Sequence, residues 1–149
     1  MALEVGQIAP DFSAPDENGN TITLSSFRGQ KVVLYFYPKD STPGCTAQAC
    51  NLRDNMDALT EQGFVVLGIS TDSQKRHQNF ITKNTLPFTL ISDEDHSVHD
   101  LYHTWQLKKF MGKEYMGTVR TTFIIDENGT ISDIINKVKT KEHAAQILA

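Results

Sequence analysis

The chain has 149 residues, close to one domain's worth at roughly 150 residues per domain, and such a domain buries enough surface to need no disulfide staples. With 39% hydrophobic and 21% charged residues it is neither disordered nor fibrous. A net charge of −4 lacks the basic surplus of a nucleic-acid binder, and no apolar run approaches the roughly 20 residues of a membrane span.

The opening stretch MALEVGQIAPDFSAP has no Lys or Arg and no signal-like apolar core, so a cytoplasmic protein is expected. Asp16–Asn20 (DENGN) is turn chemistry, followed by an alternating TITL and a helical turn or loop over Ser25–Gly29. Lys31–Tyr37 (KVVLYFY) and Phe64–Ser70 (FVVLGIS) read as buried strands. Between them, Thr46–Gln62 lacks Pro and repeats apolar residues at Leu52, Met56 and Leu59, which predicts one helix stopped by Gly63. Strand, helix, strand with a crossover of that length suits parallel pairing.

A helix is predicted over Ser73–Asn84, a short strand over Phe88–Ser92 and a helix over Ser97–Trp105. Arg120–Asp126 and Thr130–Lys137 form a hairpin around Glu127-Asn128-Gly129, and Lys141–Leu148 closes the chain as a helix. This alternation predicts a single α/β domain over residues 1–149, a thioredoxin-like fold with a central mixed sheet and helices on both faces.

The two cysteines, Cys45 and Cys50, are too few for a secreted scaffold or a structural zinc site. They are either unrelated buried thiols or a redox pair. The surrounding YPKDSTPGCTAQAC follows a strand, turns at Pro43-Gly44 and enters a helix, which sets Cys45 in the first helical turn. Unpaired backbone N–H groups and the positive end of the helix dipole favour an anion there, hence the thiolate. A buried small hydrophobe is the alternative.

Pro38, Thr42 and Cys45 together spell P-x-x-x-T-x-x-C. This resembles the active-site signature of the peroxiredoxins, and the second cysteine five residues on resembles their bacterioferritin comigratory (Q-type) branch. The likeness extends to the APDF start, the GIS and SDED stretches, and KKFMGKEYMG with RTTFIID. It implies a peroxidase without metal, haem or other cofactor that reduces hydrogen peroxide and alkyl hydroperoxides at cysteine. By the same resemblance Cys45 is the peroxidatic cysteine and Cys50 the resolving one. Thr42 touches the thiolate and the attacked peroxide, Pro38 shields the pocket, and Arg120 activates. Thioredoxin or a glutaredoxin-type protein is the implied reductant of a Cys45–Cys50 disulfide, and a monomer is expected. Many relatives carry Glu where this chain has Gln48, which still accepts a hydrogen bond but with less charge assistance.

Other groupings point elsewhere. His96, His99 and His103, at helical spacing, would share one face of the predicted helix, as a metal site or as a solvated surface. Asp93-x-Asp95-x-Ser97 starts like a calcium loop but has Val98 and Thr104 where Gly and Glu are needed. Asn128-Gly129-Thr130 is a glycosylation triplet by letter and a turn by context. Trp105, Phe110 and Tyr115 would line the Cys45 pocket or pack in the core. The competing functions are a thioredoxin-like disulfide exchanger, disfavoured because C-x-x-C is missing, and a redox-sensing or chaperone-like binding module without turnover.

Overall fold

The computed structural model describes residues 3–149; Met1 and Ala2, part of the N-terminal stretch weighed above as a targeting signal, lie outside them. Strands β1 (Ser13–Pro15) and β2 (Thr21–Thr23) pair around the predicted turn, where the Asp16 carboxylate accepts the N–H groups of Asn18 and Asn20. A 3-10 turn at Leu24–Phe27 leads into β3 (Lys31–Phe36). Next come α1 (Pro43–Asp54), α2 (Met56–Glu61), β4 (Phe64–Ser70), α3 (Gln74–Asn84) and β5 (Thr89–Ser92). The chain continues with α4 (Ser97–Leu101), the hairpin β6 (Trp105–Phe110) and β7 (Lys113–Thr118), β8 (Thr121–Ile125), β9 (Ile131–Ile135) and α5 (His143–Leu148).

The main sheet runs β5-β4-β3-β8-β9. β3, β4 and β5 are parallel, while β8 lies antiparallel to β3 and β9 antiparallel to β8. The sheet is therefore mixed, as expected. β3 is buried on five consecutive residues because both of its faces are covered. Val33, Tyr35 and Tyr37 face Leu52, Leu59, Phe80 and Ile147 of the helical layer. Val32, Leu34 and Phe36 face Phe12, Leu24, Val98 and Tyr102, so the N-terminal segment and α4 cover the other side. The period of two along β3 thus sorts its side chains between two cores.

Three expectations need correction. The single helix over 46–62 is two helices, begins earlier at Pro43, and breaks at Asn55. There the Asn55 side chain donates to the Asn51 carbonyl, competing with the helical backbone. The helix over Ser97–Trp105 ends at Leu101, and Trp105 opens a strand.

The histidines consequently share no helical face. His96 caps α4 in a left-handed conformation and stacks on Trp105, while His103 lies past the helix with φ 59°. His99 is fully buried: its Nδ1 lies 2.6 Å from Asp93 and its Nε2 2.9 Å from the Thr118 hydroxyl. It is neither a ligand nor a solvated surface residue. Asp93 also accepts from the N–H groups of Val98 and His99. Burial pushes its carboxyl up, but the bonds from His99 and those backbone donors outweigh this and hold it below the ordinary range.

Nothing in the apolar pattern of residues 105–118 announces β6 and β7, because both strands are largely exposed. Phe110 pairs with Lys113 across a two-residue loop, Met111-Gly112, with φ of 52° and 79°. Positive φ at both positions marks a type I′ turn, which normally reads Asn-Gly. Methionine at a left-handed position is strained, and Met111 is 86% exposed. Met111→Asn is expected to raise stability by about 1 kcal/mol, seen as a higher midpoint in urea with an unchanged slope.

Candidate active site

The stretch from Tyr37 to Thr42 is held by a buried polar cluster. The Tyr37 hydroxyl donates to one Asp40 oxygen, and the other lies 2.6 Å from His77 Nδ1. His77 Nε2 donates to the Ile91 carbonyl. The Asp40 N–H donates to Asp72, which also accepts from Ser70 and Arg76. Asp40, Asp72 and His77 lie close enough to hold a cation, but protein donors already engage both carboxylates, so the cluster serves as an anchor for the loop.

Past that anchor the chain turns sharply. Ser41 has φ 63°, and Thr42 is extended because a proline follows. Pro43 takes the first helical position, where its missing N–H costs nothing. The first helical bond runs from Thr46 N–H to the Thr42 carbonyl, so the N–H groups of Gly44 and Cys45 precede it. Cys45 is 2% exposed in this first turn.

Arg120 reaches the same point from the other side of β3. Thr121 pairs with Phe36, which sets Arg120 beside the end of β3 from which the loop grows. Its Nη2 lies 3.2 Å from Cys45 Sγ, and its Nη1 donates to Gln48 Oε1, one turn along α1. Gln48 is fully buried, and its Nε2 lies 3.1 Å from His143 Nδ1. His143 Nε2 lies 2.9 Å from the Thr122 hydroxyl on β8. Burial, and secondarily the Arg120 charge, push the His143 imidazole down to about 4, so it is neutral at working pH.

The other residues singled out in the sequence fall around this line. The Thr42 hydroxyl donates to the Lys39 carbonyl at 2.8 Å. Pro38 borders a cavity of about 270 Å³ with Trp105, Lys108, Tyr115 and Thr118; neither Cys45 nor Phe110 lines it, and Phe110 is 66% exposed. Cys50 lies further along α1, half-buried, with Sγ 3.6 Å from Asn84 Oδ1. Both cysteines are free thiols. A larger cavity of about 430 Å³ lies at the opposite end of β3 and β4, between Phe64 and Phe88, and includes none of these residues. Asp40, His77 and His143 escaped the sequence reading, since the Asp40–His77 and Gln48–His143 pairs span 37 and 95 residues and follow no local period.

The family model described as AhpC/TSA matches residues 5–134. Peroxiredoxin Bcp of Escherichia coli (strain K12) is 50% identical over 98% of this chain and 94% of its own length. Peroxiredoxin Bcp of Bacillus subtilis is 46% identical over 99% of this chain and 94% of its own length. A structure of the Xanthomonas campestris bacterioferritin comigratory protein, studied for alkyl peroxide reduction, superposes with a TM-score of 0.89 at 32% identity, covering 97% of this chain and 95% of that one. A chain with this thiol site and these relatives belongs to the AhpC/TSA family, as a thiol peroxidase of the Bcp branch of the peroxiredoxins.

Proposed function

We propose that this protein reduces hydrogen peroxide and alkyl hydroperoxides at Cys45 and is recycled by thioredoxin through a Cys45–Cys50 disulfide. The observation that carries the reading is Arg120 on Cys45 Sγ at the start of α1. A guanidinium donates there to a sulfur that sits in the first turn of a helix, and that sulfur must be anionic to react. The Cys45 thiolate attacks one peroxide oxygen, the O–O bond breaks, and the other oxygen leaves as hydroxide or alkoxide, which takes a proton to become water or the alcohol. Arg120 stabilises the negative charge growing on the leaving oxygen. Thr42, its hydrogen committed to Lys39, keeps its lone pairs free to accept from the incoming hydroperoxide O–H. On the family resemblance Pro38 keeps water from the thiolate.

The product is Cys45 sulfenic acid. The Cys50 thiol attacks its sulfur, releasing water and forming the disulfide, which a thioredoxin dithiol or a glutaredoxin-type protein reduces. No metal or organic cofactor enters this cycle. The protein acts as a single-domain monomer in the cytoplasm, where such dithiols are kept reduced. Among the described residues, no helix is long and apolar enough to cross a membrane.

The test is peroxide consumption by the purified protein with thioredoxin, its reductase and NADPH, across hydrogen peroxide and organic hydroperoxides. Sustained turnover is expected. One equivalent consumed without turnover would replace the enzyme reading with a redox sensor.

A further inference from the structure

We infer that His143 is a positioning residue for peroxide reduction: through the Gln48 amide it fixes Arg120 on Cys45. The inference rests on the catalytic reading of Cys45 and Arg120 given above.

The argument is one of donors and acceptors. Arginine only donates, so the end of Gln48 that meets Arg120 Nη1 is the carbonyl oxygen. The other end is then the NH2, which only donates, and it faces His143 Nδ1. His143 must present a lone pair there, so its proton sits on Nε2 and is donated to the Thr122 hydroxyl. A neutral ring is what its burial beside Arg120 favours. The link runs unbroken from β8 through α5 and α1 to the reactive sulfur, and Gln48, His143 and Thr122 are all fully buried.

An amide is nearly symmetric in shape, and nothing in its size says which end should face Arg120. Arg120 and the lone pair of His143 make that choice together, each satisfied by one end of the amide. With the ring absent the Gln48 NH2 is left buried without an acceptor, and with a proton on Nδ1 it meets a donor; either way the amide is no longer satisfied at both ends in the orientation that holds Arg120, whose only other side-chain partner among the described residues is Cys45. Two bonds hold the imidazole itself to α1. Asn51 Oδ1 accepts the N–H of Ala144, and Asn51 Nδ2 donates to the Lys141 carbonyl, so the residue one turn after Gln48 fixes the start of α5.

Two measurements test this. In the reduced wild type at neutral pH, the imidazole 15N resonances of His143 are expected to show the neutral ring protonated on Nε2; the other tautomer, or an imidazolium, overturns the inference. Second, the rate of Cys45 oxidation by peroxide is measured in a double-mutant cycle of His143→Leu and Arg120→Leu. His143→Leu alone is expected to slow the reaction about 10–100-fold, the range usual for groups that orient a directly acting one. In the Arg120→Leu background it should add nothing, because no guanidinium remains to position. His143→Asn, whose carbonyl can accept from Gln48, should recover part of the rate. Equal losses from His143→Leu in both backgrounds would mean a merely structural role. If Arg120→Leu alone leaves the rate unchanged, the catalytic assignment of the arginine fails first, and this inference with it. Should His143→Leu not fold, the cycle is run with His143→Asn, and the 15N result on the wild type stands by itself.

Discussion

Arg120→Leu is expected to slow the reaction of reduced protein with peroxide by about 10²–10³, the usual loss when one preorganised charge donor is removed from developing charge. The guanidinium does two things at Cys45 that leucine cannot. It donates to the sulfur before the reaction, and on the proposed mechanism it meets the oxygen on which charge accumulates as the O–O bond stretches. Arg120 is half-buried on a loop between β7 and β8, so the substitution should not collapse the sheet. It does leave Gln48 Oε1 buried without its charged donor, at about 1–3 kcal/mol of stability. Stopped-flow oxidation of the reduced thiol separates the two effects, because a folded variant with a slow second-order rate isolates the chemistry. A rate near the wild type would remove Arg120 from the mechanism.

Cys50→Ser should keep one fast reaction with peroxide and lose turnover with thioredoxin altogether. Both cysteines lie in α1, five residues apart. Five helical residues advance about 7.5 Å and rotate roughly 500°, which separates the Cα atoms by about 8–9 Å. A disulfide needs roughly 4.4–6.8 Å with converging Cβ directions. The helix must therefore open before Cys50 reaches the sulfenic acid. Opening gives up the Arg120 contacts to Cys45 and Gln48, the Gln48–His143 bond and the Cys50–Asn84 contact. While it waits, excess peroxide can carry Cys45 on to the sulfinic acid. Without Cys50 that outcome is unopposed, so the variant should over-oxidise more readily. Mass spectrometry decides the point: a main product bridged between two chains in the oxidised wild type would overturn the intramolecular route.

How much of this was legible beforehand depended on whether the signal was local. β3, β4 and the α1 crossover announced themselves because a strand buried on both faces is a continuous apolar run, and Gly29, Pro38 and Gly63 bounded them. The β6–β7 hairpin stayed hidden because its strands are exposed and its turn is spelled Met-Gly. In the site, Pro38, Thr42 and Cys45 could be read from one contiguous motif. Arg120 could be named only by resemblance, since an arginine before a strand carries no mark of what it will face. Gln48 looked like a weakened glutamate. Its full setting depends on His143, which arrives 95 residues later on a different helix. The histidine triplet failed for a related reason: spacing of three and four suggested a shared face, but the left-handed residues His96 and His103 confine the helix to a single turn and a half.

The Asp40 anchor bears on the speed of the whole cycle. Asp40 is gripped by Tyr37, His77 and Asp72, none of which belongs to α1. At the far end, Arg53 Nη1 holds the Asn84 carbonyl on α3. The segment that unwinds therefore has both ends tied, and Cys45, five residues beyond Asp40, swings on a leash of at most about 16–18 Å. A leash that short lets the disulfide emerge toward a reductant but never lets the segment wander. After reduction the helix has only to rewind between two fixed posts. Helix–coil relaxation takes about 0.1–1 μs, far below typical enzymatic turnover times. On the proposed disulfide route, rewinding of the helix should then add no delay of its own to recycling.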